Sequence, residues 1–269
     1  TLSVGAGADT LDGSSGKDTA SYAAAAAAVT VDLGSADASG VVTAEGDTLV
    51  SIENVIGSAF NDTLTGDEGA NVLEGGAGAD VLSGGDGSDT ASYAGSSSAD
   101  GTTGVQVNLL TGSASGNDAS GDSLTSIENL IGSDFNDSLT GDDQDNGLAG
   151  GGGDDTLNGL GGDDGLFGEE GDDLLYGGDG NDLLEGGADD DIIDGGAGDD
   201  TMDGGAGTDT AAYTYGGSAG VNVDLSTGTA SDEFGGSDTL IGIENVTGSI
   251  NDDTLTGDAN TNVLDGGDG

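Results

Sequence analysis

The chain has no cysteine, proline, histidine or tryptophan, and among its 269 residues the only basic side chain is Lys17. Without cysteine there is neither a disulfide framework nor a thiolate metal site. Without histidine the commonest transition-metal ligand and the usual general base are missing. One lysine against 53 acids leaves a formal charge of -52, which argues against nucleic acid and anionic membranes as partners, since both require a basic surface. The longest apolar run, Ala23 to Val29, is far too short to cross a bilayer, so no direct membrane insertion is expected. Only 33% of residues are hydrophobic and 3% aromatic. Such a composition normally stays disordered, because it cannot bury enough surface to offset the entropy of ordering. Stabilisation has to come from outside the chain, and the charge selects cations as its source.

What the chain has in abundance is glycine and acid, placed in a nine-residue frame. Residues 141 to 212 read GDDQDNGLA, GGGGDDTLN, GLGGDDGLF, GEEGDDLLY, GGDGNDLLE, GGADDDIID, GGAGDDTMD and GGAGTDTAA without a slip. GSDFNDSLT at 132 to 140 adds one unit, and the frame recurs at 4–21, 57–92 and 248–269. Position six is aspartate at Asp9, Asp18, Asp62, Asp80, Asp89, Asp137, Asp155, Asp164, Asp173, Asp182, Asp191, Asp200, Asp209 and Asp253, and asparagine at Asn71, Asn146 and Asn262. Position eight carries the single large apolar residue, such as Leu157, Leu175 and Ile193. One apolar residue per nine suits neither an amphipathic helix nor an ordinary alternating strand. It suits a very short strand between long turns. Glycines at positions one, two and four permit the tight backbone of an ion-cradling turn. Carbonyls and carboxylates together make the irregular all-oxygen shell that calcium accepts and magnesium resists.

The pattern resembles the GGxGxDxUx nonapeptide of the RTX calcium-binding proteins, U being a large apolar residue. The resemblance implies an all-β fold, a right-handed parallel β-roll in which two nonads make one coil, the six-residue turns bind calcium and the xUx pieces are short strands. It implies calcium at the seventeen position-six residues, of which those in GDDQDNGLA and GSAFNDTLT sit in turns with fewer of the repeat's glycines. Two nonads per coil place Asp155, Asp173, Asp191 and Asp209 on one side and Asp164, Asp182 and Asp200 on the other. Stacked at roughly 4.8 Å, two carboxylates repel by about 1 kcal/mol in a water-like dielectric and by roughly 3 to 4 kcal/mol at an effective dielectric near 20. A divalent ion between rungs reverses that sign, and its binding energy becomes folding energy.

Three blocks end in a shared signature, Asp18 to Tyr22, Asp89 to Tyr93 and Asp209 to Tyr213, with alanine at position eight. The smaller side chain there is expected to make room for something else. Alternating strands follow, VTVDL from Val29, VQVNL from Val105 and VNVDL from Val221, then polar loops and the segments SIENVIGS, SIENLIGS and GIENVTGS. Longer-looped β-coils are therefore expected at 22–56, 93–131 and 213–247, within one continuous solenoid over 1–269. Counting back from Gly57 puts Glu53 at position six and Val55 at position eight; Glu128 with Leu130 and Glu244 with Val246 fall likewise. These glutamates either cap the first calcium turn of a block or are solvated or bonded to loop amides. The alanine run 23–28 is too short to be helical unaided, and a packed loop is expected.

No catalytic set emerges. GGSAG at 216–220 fits the serine-hydrolase string but has no histidine to act as base. Lys17 completes no phosphate loop. The resemblance implies a calcium-folded structural segment of a large secreted bacterial protein: a surface-layer, adhesin or biofilm-matrix component exported by a type I system. Self-association of exposed strand edges into filaments is open to it. The alternatives are the repeat module of a secreted protease, lipase or polysaccharide epimerase, and a calcium-dependent glycan- or protein-binding module. The chain opens at Thr1 and stops at Gly269 inside a repeat, from which we expect a piece of something longer.

Overall fold

One apolar side chain in nine can be buried only if the chain doubles back and stacks its position-eight residues on one another. The computed structural model does this over the described residues, which are 1–5, 7–34, 46–214, 216–232 and 234–268 with the backbone of 37–40. The expected coil 22–56 lies partly outside them. Two compact units result, Thr1–Asp134 and Phe135–Gly269, and both are parallel β-rolls built on the same rule.

In Phe135–Gly269 one wall is the parallel series Gly147–Gly152, Gly165–Glu170, Leu183–Ala188 and Thr201–Ala206. The opposite wall is Asn136–Thr140, Thr156–Gly161, Leu174–Asp179, Ile192–Ala197 and Thr210–Ala212. Every register step is eighteen residues, as with Leu148 on Leu166 on Leu184 on Met202. The two-nonad coil read from the sequence is thus the observed one. The core is a double column of position-eight side chains, Leu157, Leu166, Leu175, Leu184 and Ile193 among them, fully buried. In Thr1–Asp134 the nonad strands are three residues long, for example Thr63–Thr65 paired with Val81–Ser83, as expected. In the long block they run to six. Pairing there resumes at positions two and three, Gly151 on Glu169 and Gly152 on Glu170, so the turn itself contributes ladder bonds.

The segments between blocks are more ordered than loops. Val29–Asp32, Asp37–Gly40 and Asp47–Val50 form an antiparallel meander. Its last strand lies parallel to Thr10–Asp12 and its first parallel to Thr63–Thr65, so the meander is inserted into one wall between two nonad strands. Thr103–Asn108, Ser113–Ser115 and Ser123–Thr125 form a second antiparallel meander, and Asn222–Asp224, Thr229–Ser231 and Ser237–Ile241 a third. The opposite wall carries on without insertion: Thr19–Ser21 pairs directly with Asn54–Ile56, Thr90–Ser92 with Asn129–Ile131, and Thr210–Ala212 with Asn245–Thr247. Val55, Leu130 and Val246 therefore do occupy position eight. Where that position is alanine, at Ala20, Ala91 and Ala211, a tyrosine two residues on is buried, Tyr22, Tyr93 and Tyr213. The alanine run forms turns, with Ala25 N–H donating to the Tyr22 carbonyl at 2.8 Å. Among the described residues the one helix is the short 3-10 segment Asn117–Ala119, and no helix is long and apolar enough to cross a membrane.

Close stacking makes some glycines irreplaceable. A Cβ on Gly198, whose φ is +149°, would stand 1.7 Å from the Gly180 carbonyl oxygen one coil away. Gly216, with φ +98°, has open space around it. We expect Gly216→Ala to cost about 1 to 2 kcal/mol from conformation alone, and Gly198→Ala several kcal/mol more because backbone must also move. Urea denaturation of both variants in saturating calcium measures the difference; equal midpoints would refute the close-contact argument.

Candidate metal centre

The turns bring the position-six residues into columns. In each column the backbone N–H of one residue donates to the side chain of its counterpart one coil later: Asp155 to Asp173 Oδ1 at 2.8 Å, Asp173 to Asp191 Oδ1 at 2.9 Å and Asp191 to Asp209 Oδ1 at 2.9 Å. On the other side Asp164 donates to Asp182 Oδ1 at 2.8 Å and Asp182 to Asp200 Oδ1 at 2.9 Å. The carbonyl of the same residue accepts from position seven one coil on, as from Leu174 to Asp155 at 2.9 Å. The columns are therefore not the bare stacks of repelling carboxylates that the sequence suggests. One oxygen of each carboxylate is neutralised in part by a main-chain donor.

A second ladder runs beside the first, exposed and with opposite polarity. At position five the N–H of the later coil donates to the side chain of the earlier one: Asp163 to Asp145 at 2.9 Å, Asn181 to Asp163 at 2.8 Å, Asp199 to Asn181 at 2.9 Å. Asp172, Asp190 and Thr208 donate in the same sense to Asp154, Asp172 and Asp190.

The columns end on acids of the segments between blocks. Asp18, Asp89 and Asp209 donate their N–H groups to Glu53, Glu128 and Glu244 Oε2 at 2.8, 2.8 and 3.0 Å. Each glutamate thus closes the last aspartate of a block. Asp9, Asp80 and Asp200 donate to Asp47, Asp122 and Asp238 Oδ1 at 2.7, 2.8 and 3.3 Å. These three aspartates, all buried, escaped the sequence reading although a signal was there. Asp47-Thr48-Leu49, Asp122-Ser123-Leu124 and Asp238-Thr239-Leu240 repeat the spacing of positions six to eight, six residues before each glutamate. The signature tyrosines reach the same three acids. Tyr93 donates to Asp122 Oδ2 at 3.1 Å, while Tyr22 and Tyr213 lie against Asp47 and Asp238 without a hydrogen bond of good geometry.

The other carboxylate oxygen divides the turns into two kinds. Among the described residues, Oδ2 of Asp80, Asp89, Asp155, Asp164, Asp173, Asp182, Asp191, Asp200 and Asp209 is buried with no hydrogen-bond partner, an arrangement that costs free energy unless something else pairs with it. Asp47 Oδ2 shares that condition. Elsewhere the turn closes on itself. Asp62 accepts from Ser58 N–H and from Ser58 Oγ, the latter at 2.9 Å, and Asp253 accepts from Ser249 in the same way at 2.8 Å each. Asn71, Asn146 and Asn262 accept from the N–H groups of Asp67, Asp142 and Asp258 at 2.7, 2.7 and 2.9 Å. Asp9 accepts from Gly5 at 3.3 Å. Asp137 is buried and donates to Asp155 Oδ1 at 2.7 Å, whereas Asp18 is half-exposed.

Burial pushes these carboxyls far above the usual range, and neighbouring acids add to it. The donated N–H opposes the rise without cancelling it. Asp155 is pushed up to about 8, Asp80, Asp182 and Asp191 to about 7, and Asp164, Asp173 and Asp200 to about 6. Asp238 and Asp122 rise to about 7 and about 6 for the same reasons. An unoccupied, ionised column is thus electrostatically unfavourable.

Oxygens surround the unpartnered atoms. A Cβ placed on Gly177 would lie 2.3 Å from Asp182 Oδ2 and 2.4 Å from the Gly195 carbonyl oxygen; on Gly168 it would lie 2.2 Å from Asp173 Oδ2 and 2.5 Å from the Gly186 oxygen. Glycine at position one therefore keeps open a cradle walled by a carboxylate of its own turn and a carbonyl of the next coil. Among the described residues no three acidic side chains converge on one point. A cation here would draw much of its shell from main-chain carbonyls, the donor set of a hard, flexibly coordinated ion such as calcium. The residues fit that ion.

Comparison with known proteins agrees. No curated protein matches the chain. The model of the RTX calcium-binding nonapeptide repeat matches residues 1–21, 56–91, 125–157, 146–175, 176–211 and 238–269, more than half of the chain. Calcium is the cofactor of that repeat, in several copies. With its orphaned carboxylates, oxygen cradles and eighteen-residue coil, the chain belongs to the RTX calcium-binding nonapeptide-repeat family.

Proposed function

We propose that this calcium-binding repeat module is a structural segment of a large secreted bacterial protein, of the surface-layer, adhesin or matrix kind, which leaves the cell unfolded and folds on meeting external calcium. Among the described residues, the nine unpartnered position-six carboxylate oxygens, in a core of one large apolar residue per nonad, carry this reading. A chain so built has little to hold it together until cations pair with those oxygens, and then much. Calcium would be held by the aspartates of the open turns together with the carbonyls of positions one and two, with no single dominant site. Within each unit the longer-looped coils join the calcium blocks into one roll.

Extracellular calcium modules bind with dissociation constants of roughly 0.1 to 1 mM, well above resting cytosolic calcium and near external levels. Compartment would then set the folding state. Calorimetric titration of the full chain should show several ions binding with midpoints in that range, and magnesium at equal concentration should not substitute. Nanomolar affinity, or saturation by magnesium, would overturn the reading, because the chain would then fold before export.

A further inference from the structure

The split between open and closed turns follows one backbone angle. Among the described residues, all nine turns with an unpartnered buried Oδ2 hold their second residue at positive φ, for example Gly76 at +85° and Gly178 at +119°. This holds even where that residue is not glycine: Leu160 stands at +78° and Glu169 at +80°. In the six turns that close on themselves the second residue, Gly5, Ser58, Asp67, Asp142, Ser249 or Asp258, is not in that region. There its N–H points at position six and takes the oxygen a cation would need. Reversing φ swings that N–H away and leaves the carboxylate oxygen bare. A non-glycine residue pays conformational strain to adopt positive φ, and Leu160 and Glu169 do so with no compensating hydrogen bond to their own aspartate. The structure keeps the oxygen free in those turns at a cost.

We propose that the sign of φ at the second turn residue decides which turns take calcium: the left-handed turns bind, and the self-closed turns of Asp9, Asp62, Asn71, Asn146, Asp253 and Asn262 do not. This rests on the calcium reading above and refines it. In the 57–92 block the closed turns of Asp62 and Asn71 make up the first coil and the open turns of Asp80 and Asp89 follow, whereas in 248–269 the turns of Asp253 and Asn262 are both closed.

The test counts bound calcium per full chain by equilibrium dialysis against millimolar radioactive calcium, with circular dichroism confirming the folded state. Asn71→Ala and Asn262→Ala should each leave the number of ions unchanged, and Asp182→Ala should lower it by at least one. The double change Asp142→Gly with Asn146→Asp, which frees the second residue to turn left-handed and restores a carboxylate, should add one ion. Loss of an ion from either asparagine variant would overturn the proposal. So would no gain in the double variant, which decides the matter even if Asp182→Ala does not fold. Absence of calcium from the unaltered chain would instead overturn the functional reading.

Discussion

Removal of calcium is expected to convert the whole chain from a β-sheet circular dichroism spectrum to that of a random coil, reversibly, with the midpoint set by free calcium. The cause lies in the pairing of the two carboxylate oxygens. Oδ1 is served by the N–H of the previous coil, but among the described residues Oδ2 in nine turns is buried and unserved, and withdrawing the ion leaves both the charge and the orphaned acceptor behind. Losing one such partner in a buried site costs about 1 to 3 kcal/mol, more for a charged group, and here the loss recurs from coil to coil. A domain is stable by only about 5 to 15 kcal/mol, so the sum exceeds what the thin leucine columns can hold. Far-ultraviolet dichroism in chelator and in millimolar calcium measures this. A β spectrum that persists in chelator at neutral pH would mean that the columns tolerate their own charge.

The second large effect is a reversal of pH dependence. In the absence of metal the folded-state values of the buried aspartates lie at about 6 to 8, above the roughly 3.9 of an unfolded carboxyl. The folded chain then binds more protons than the unfolded one across that window, and stability falls as pH rises. The acid-favoured stability is complete below about pH 4 and is gone once pH has passed the folded values near 8. Calcium holds the same carboxylates ionised, which places their folded values below the unfolded one. Stability then grows as pH rises above about 4 and is lost on acidification as the ion is released. Urea midpoints measured upward from pH 4, with and without calcium, should coincide at the acid end and diverge as pH rises, until the calcium-free chain no longer folds. Two curves rising together with pH would show that the aspartates carry no excess protons in the metal-free fold.

The eighteen-residue coil, the buried position-eight column and the alignment of position six were all legible in the sequence, because a fixed frame admits one stacking only. Leu148, Leu166 and Leu184 are where the frame puts them. What was not legible depends on the neighbouring coil. Leu160 and Glu169 are left-handed while Ser58 and Asp67 are not, and residue type alone does not separate them; the orientation of a single peptide does. The meanders escaped for a related reason, since Asp37–Gly40 is a strand only because Val29–Asp32 and Asp47–Val50 flank it. Asp47, Asp122 and Asp238 were hidden by the same insertion, which breaks the count between them and the preceding nonads. The glutamates escaped as to role rather than position: their place in the frame was visible, but not that they end a column by accepting from Asp18, Asp89 and Asp209.

The meanders have one more consequence, and it concerns parity. Within Thr1–Asp134 each meander lies in the wall opposite the last nonad strand before it, Thr19–Ser21 in one case and Thr90–Ser92 in the other. Four nonads separate them, and both decorate the same wall. Duplicating or deleting eighteen residues within a block would leave every later decoration where it was, whereas a change of nine would move it to the far side. Such a gene can lengthen or shorten freely in even steps, and an odd step turns the remainder of the molecule about.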